Sequence, residues 1–297
     1  MECGPLRIRG VGLANCLFPW ARSVFYARRY GLRRIASTWP QLCHRQWLRW
    51  DRDKRTYVRL MDERSTAITG ISKLIILATK RHIAEAEFLS YPERFQTGIV
   101  LFSGIDDYFA PIINEHTFIK QALIEATRPS HRRAIRAEMN DDVCMHVRYG
   151  DYVDLDQGDF PNFNHVRQPL AWYIHALNEC RRCLGKSTRA WVFSDASDAE
   201  VQPLLGITGV RRAFFGSSIA DLLAMSTARV LIASGSTFSM WASYLGRMPT
   251  IWPLKQRRQR IHGCKWEYEI ELGYEPLPPE VASLIRSHQN ACREIFV

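Results

Sequence analysis

Apolar residues along this chain fall into two alternating patterns. Short unbroken runs recur at "VCMHV" (143–147), "AWVFS" (190–194), "RVLIAS" (229–234) and "PTIW" (249–252). They are strand-length and rich in β-branched and aromatic residues, so they predict strands buried on both faces. Between them, apolar residues return every three or four positions, which predicts helices over 170–183, 198–205, 219–227 and 238–246. Short apolar strands alternating with helices predict an α/β fold around a parallel sheet. Upstream, "PLRIRGVGLAN" (5–15) reads as a strand entering a glycine turn, and "CLFPWARSVFYARRYGL" (16–32) as the helix that follows. A second strand is expected at 98–104 and a helix at 117–128. Residues 128–142 are polar and poorly periodic, a linker between two α/β domains that meet near residue 139. The expected division is 1–138, 139–275 and a closing segment, 276–297. In that segment Val281, Leu284, Ile285, His288, Cys292 and Ile295 share one helical stripe that should pack on the body.

Length and composition sharpen this picture only in places. A chain of 297 residues that is 46% hydrophobic can bury a core in each of two domains. No apolar run reaches the ~18 residues of a membrane span, and the longest, "ISKLIILA" (71–78), falls well short. Glu2, Arg7 and Arg9 interrupt the N-terminus where a secretory signal would be apolar. The eight cysteines are scattered, and Cys180-x-x-Cys183 has no second pair to complete a zinc site. Free thiols in a reducing, cytoplasmic setting are expected, without a metal. The net charge is +10, concentrated in residues 22–60, where eleven Arg and Lys face only Asp51 and Asp53. Trp20, Phe25, Tyr26, Tyr30, Trp39, Trp47 and Trp50 lie in or beside that segment. Two readings stand side by side: a solvated face with aromatics turned inward, or a surface for phosphate, anionic lipid or nucleic acid. No nucleic-acid-binding motif accompanies the charge, so nucleic acid is not an expected partner.

Polar chemistry gathers at three strand ends, where open α/β sheets bind ligands. His146, Arg148 and Asp151 follow "VCMHV"; Ser194 and Asp195 follow "AWVF"; Ser236, Thr237 and Phe238 follow "VLIA" and open a helix. An arginine fork can grip phosphate, hydroxyls and N–H groups at a helix start attract anions, and an aspartate can accept from ribose or base. Singly, each has a plainer reading: Ser236-Thr237 as a helix cap, Asp195 as another, His146 as a core histidine with its hydrogen bonds satisfied. Together they describe a pocket for a nucleoside diphosphate.

With these stretches in view, the chain resembles the α-1,2-fucosyltransferases of glycosyltransferase family 11. The family's G-G-L-G-N-Q-[LM]-F-Q-Y-A is matched at Gly12, Leu13, Asn15, Leu17, Phe18 and Ala21. Its H-[VI]-R-R-G-D-Y is similar to His146–Tyr152, its F-S-D-D to Phe193–Ala196, and its N-S-T-F-S-W-W to Gly235–Trp241, with Asp221-Leu222 and Met225 ahead of the last. "LFSGIDDYF" (101–109) is similar to a further motif. The resemblance implies a GT-B arrangement, two Rossmann-like domains facing across a cleft, and GDP-fucose as donor substrate, held mainly by the C-terminal half. It implies an inverting transfer without metal or other cofactor to a cell-surface glycan or lipid-linked oligosaccharide acceptor. Such an enzyme would work at the inner face of the membrane, with residues 22–60 on anionic lipid. By the same resemblance Arg148, with His146, serves catalysis and neutralises the diphosphate. Asp151, or else Asp156, is the base. Ser194, Asp195, Ser236, Thr237, Phe238, Gly12 and Asn15 hold the donor. The chain departs from the pattern at Tyr149 (family Arg), Cys16 (Gln) and Gly235 (Asn). A related transferase with another nucleotide sugar is therefore the alternative.

Overall fold

The computed structural model describes residues 11–40, 57–105, 107–134, 139–150, 152, 166–263 and 265–288. The chain divides into two compact units, Met1–Arg132 and Arg133–Val297, so the division falls six residues before the expected 138/139.

In the N-terminal unit, helix α1 (Leu13–Arg29) buries Leu17, Phe18, Trp20 and Ala21. Phe18 packs edge-on against Phe109, its ring centre 4.9 Å away. Helix α2 (Gly70–Thr79) carries "ISKLIILA", yet none of its residues is buried. Strand β1 (His82–Ala84) leads into helix α3 (Glu85–Ser90) and pairs in parallel with β2 (Ile99–Leu101). Helix α4 (His116–Ala126) completes the unit's larger elements, and α5 (Pro129–Ala134) runs across the division, so the expected linker is in part helical. The strand expected before residue 11 lies outside the described residues.

The C-terminal unit is built on a six-stranded sheet in the order β5-β4-β3-β6-β7-β8, parallel throughout. The strands are β3 (Val143–Val147), β4 (Ala190–Ser194), β5 (Val210–Arg212), β6 (Val230–Ile232), β7 (Thr250–Pro253) and β8 (Glu269–Leu272). Every residue of β3, β6 and β7 is buried, as an unbroken apolar run requires. Helices α6 (Leu170–Leu184), α7 (Gln202–Leu205), α8 (Ser218–Met225) and α9 (Thr237–Gly246) connect them. The two edge strands, β5 and β8, have no counterpart in the sequence expectation. Each faces solvent in part, so polar residues interrupt the run that marks a buried strand. Helix α7 is shorter than the expected 198–205, because Asp198–Glu200 form turns before it.

Helix α10 (Pro279–Ser287) packs on α6 within this unit, with Ile285 fully buried. The Arg229 guanidinium donates to the Ile285 and Arg286 carbonyls and ties the helix down. Cys292 and Ile295 of the expected stripe lie outside the described residues. Cys16, Cys144, Cys180 and Cys183 are free thiols. Among the described residues no helix is long and apolar enough to cross a membrane, and no group of His, Cys, Asp and Glu could hold a metal.

Candidate functional site

The strand order reverses between β3 and β6: β4 and β5 continue on one side, β7 and β8 on the other. Connections leave such a switch point in opposite directions, which opens a crevice at the carboxyl ends of the two strands. The polar residues after β3 and β6 therefore border one crevice, with those after β4 next to them.

At its centre an aspartate organises the loop that follows β3. Asp195 Oδ1 accepts from the Tyr149 N–H and Oδ2 from the Gly150 N–H, each at 2.9 Å. Arg148 Nη1 pairs with the same carboxylate at 2.6 Å, both side chains remaining about a quarter exposed. This explains the glycine of "RYGD". A Cβ at residue 150 would stand 2.2 Å from Asp195 Oδ2, so any side chain there would push the carboxylate off the loop. Asp195 thus holds the loop and aims Arg148; it is more than the plain cap the sequence allowed. Tyr149, in the place of the family's second arginine, packs against the sheet core, and the Arg167 guanidinium lies 5.1 Å from its ring centre.

His146 lies in β3, just before the loop that carries Arg148. It is 6% exposed, and its Nδ1 lies 2.7 Å from Ser239 Oγ and 3.2 Å from Ser234 Oγ. Burial pushes its pKa down to about 4, against the pull of the Asp195 carboxylate. A buried, hydrogen-bonded imidazole of this kind ties β3 to the start of α9.

The start of α9 is capped as its sequence suggests. Ser236 is the N-cap, and its Oγ accepts from the Ser239 N–H. Thr237 and Phe238 open the helix half-buried, and the Phe238 ring lies 5.2 Å from His146. Four residues of the expected set, Arg148, Asp195, Ser236 and Thr237, are thus placed around one crevice. Ser194 has a local partner. Its Oγ accepts from the Ala196 N–H and closes the turn after β4. Gly12 and Asn15 belong to the N-terminal unit, at the N-cap and first turn of α1. Asp151 and Asp156, the candidates for the base, lie outside the described residues.

Two residues the sequence gave no reason to single out also border the α9 start. Arg258 Nε donates to the Gly235 carbonyl at 2.9 Å, and Gln256, 3% exposed, lies against Gly235. Neither belongs to a recognisable pattern, because both come from the irregular connection after β7. Asp221 in α8 accepts from the Phe215 N–H, and burial raises its pKa to about 6.

An arginine held by a carboxylate at a parallel sheet's switch point, beside a serine-capped helix start, is an arrangement with which an α/β protein can receive an anion. The profile of glycosyl transferase family 11 matches residues 106–258, a stretch that includes β3 to β7 and all of these side chains. The chain belongs to that family. Comparison with curated proteins finds no match. Among solved structures, Arabidopsis thaliana FUT1, a mutant in complex with GDP, is 13% identical, over 84% of this chain and 71% of that one, with a TM-score of 0.47. The Bradyrhizobium fucosyltransferase NodZ is 14% identical, over 82% and 91%, with a TM-score of 0.39. POFUT1 in complex with GDP is 8% identical, over 85% and 99%, with a TM-score of 0.41.

Proposed function

We propose that this glycosyltransferase moves L-fucose from GDP-fucose, in α-1,2 linkage and with inversion, onto a sugar of a cell-surface glycan or lipid-linked oligosaccharide. One observation carries the reading: the family 11 match falls on the strand ends that border the crevice, Arg148 and Ser236–Phe238 among them. The diphosphate of the donor sits between the Arg148 guanidinium and the N-terminus of α9. As an acceptor hydroxyl attacks the anomeric carbon, the bond from that carbon to the β-phosphate oxygen breaks and GDP leaves with the electron pair. Charge grows on the leaving oxygen, so a fixed guanidinium and helix N–H groups act more strongly on the transition state than on the substrate. The hydroxyl proton passes to a carboxylate, for which Asp151 is the first candidate.

Transfer takes place at the inner face of the membrane, on the cytoplasmic side, and a basic surface within residues 22–60 meets anionic lipid. Arg22 is buried against Glu85 and Arg34 is paired with Glu63, while Arg28, Arg29 and Arg33 remain exposed beside Tyr30 and Leu32.

The test is a thermal-shift comparison of GDP, UDP, CDP and dTDP in EDTA. GDP should stabilise the protein most, by about 2.7 kcal/mol at a hundred times its Kd. Equal shifts for all four, or a shift that appears only with Mn²⁺, would overturn the donor and the metal-free reading.

A further inference from the structure

The family's motif carries an asparagine before its Ser-Thr, and this chain carries Gly235. The backbone gives no reason for a glycine there, because Gly235 is not among the residues with positive φ. Space does. A Cβ on residue 235 would lie 2.4 Å from Gln256 Oε1 and 3.3 Å from Gln256 Cδ. The volume that an asparagine side chain would enter is thus filled by another carboxamide, reaching in from the connection after β7. Two further contacts fix that connection: the Gln256 N–H donates to the Pro253 carbonyl at 3.0 Å, and Arg258 Nε donates to the Gly235 carbonyl at 2.9 Å.

The Gln256 side chain is 3% exposed, and its Oε1 has no hydrogen-bond partner among the described residues. Burying an acceptor without a partner costs stability, and an apolar side chain of similar shape would avoid the cost. A carboxamide kept at that cost, beside the capped start of α9 and the switch-point crevice, has the character of a binding group awaiting its ligand. We infer that Gln256 is a donor-site residue whose carboxamide oxygen receives a hydroxyl of the bound nucleotide sugar. Gly235 is then the complementary change that makes room for it. The inference rests on the donor-site reading above and adds a specificity-determining residue to it.

The experiment measures the Kd for GDP-fucose by calorimetry in EDTA, together with melting temperature, for four variants. Gln256→Leu keeps the packing and removes the unpaired oxygen. It should melt at or above the parent's temperature while binding about tenfold more weakly, a combination that a purely structural glutamine would not give. Gln256→Ala should weaken binding to a similar degree. Gly235→Asn alone should lower the melting temperature, because its Cβ meets Oε1. Gly235→Asn combined with Gln256→Ala restores an amide from the family's own position and should bind within about threefold of the parent. Parent-like binding by Gln256→Leu, or a double variant that binds no better than Gln256→Ala, would overturn the inference while leaving the donor assignment intact. A parent that prefers another nucleotide sugar would overturn GDP-fucose, and the same swap is then read with that donor. A parent that binds no nucleotide sugar overturns both.

Discussion

The two units hold themselves together differently. In the C-terminal unit the core is a sheet: Val143, Met145, Val147, Val192, Val230 and Ile232 are all fully buried, and α6 covers one of its faces. In the N-terminal unit the described sheet is two strands of three residues, and polar groups sit deep among the aromatics. Glu63, 4% exposed, accepts from Trp20 Nε1 at 3.1 Å, Trp39 Nε1 at 2.8 Å and the Ser37 N–H at 3.0 Å, and pairs with Arg34. Arg22, equally buried, grips both oxygens of Glu85 and donates to the Ser103 carbonyl. Apolar burial tolerates many sequences of similar volume, whereas a buried ion pair fails when one partner goes. The contrast also explains the basic segment. Charge that looks like one exposed face divides into cations spent on internal carboxylates and cations left outside.

The largest effect should come from breaking the polar hub. Glu63→Ala leaves Arg34 and three N–H groups without their acceptor and should cost roughly 3–5 kcal/mol, on the order of 10 °C in melting temperature. If the contrast between the units is real, the loss shows first in amides of residues 11–40 by hydrogen exchange. Uniform loss of protection across both units would erase it.

Next comes Arg148→Ala, which leaves the scaffold and removes the guanidinium assigned above to the diphosphate. Its ion pair is partly exposed, so melting temperature should hardly move. Single-turnover transfer should fall about a hundred- to a thousandfold, some 2.7–4 kcal/mol of barrier, by analogy with loss of an oxyanion donor. Tyr149→Phe is the control and should be mild. A folded Arg148→Ala protein that transfers as fast as the parent would return the strand end to a structural role.

The smallest effect is a pH dependence that belongs to the C-terminal unit. His146 has a folded pKa of about 4 against an ordinary 6.5, so the unfolded chain binds the proton more readily. The stability this contributes is complete above pH 6.5 and is lost as pH falls toward 4, about 2 kcal/mol between pH 7 and 5. Urea midpoints at those two pH values should show a shallower loss for His146→Gln than for the parent. His288, also depressed to about 4 by burial, adds to the loss in the same window, whereas Asp221, raised to about 6 by burial, takes up its proton more readily when folded and offsets part of it. Identical slopes for parent and His146→Gln would mean that the imidazole is not held neutral.

How far the sequence could be read follows the same division. β3, β4, β6 and β7 were legible because burial on both faces demands an unbroken apolar run. The edge strands β5 and β8 were not, because one solvent-facing side admits Arg211 and Glu271. Helix α2 offered only a short apolar run, and its exposure could not be foreseen from hydropathy. Arg148, Asp195, Ser236 and Thr237 were legible because they follow recognisable strands in ordered motifs. Glu63 was not: "MDERSTA" reads as a polar surface turn, and its partners Trp20, Arg34 and Trp39 stand more than twenty residues away.

By itself, then, the sequence determined the alternation of strands and helices, the α/β class and the strand ends at which chemistry gathers. All of these rest on local periodicity and on which residue follows which. Tertiary structure decided the rest. It joined His146 to Ser234 and Ser239 and Asp195 to the loop it braces, and it set Gln256 in the space that Gly235 leaves open. Those assignments depend on which atoms meet across the sheet, and a buried polar group is defined by its partners rather than by its neighbours in the chain.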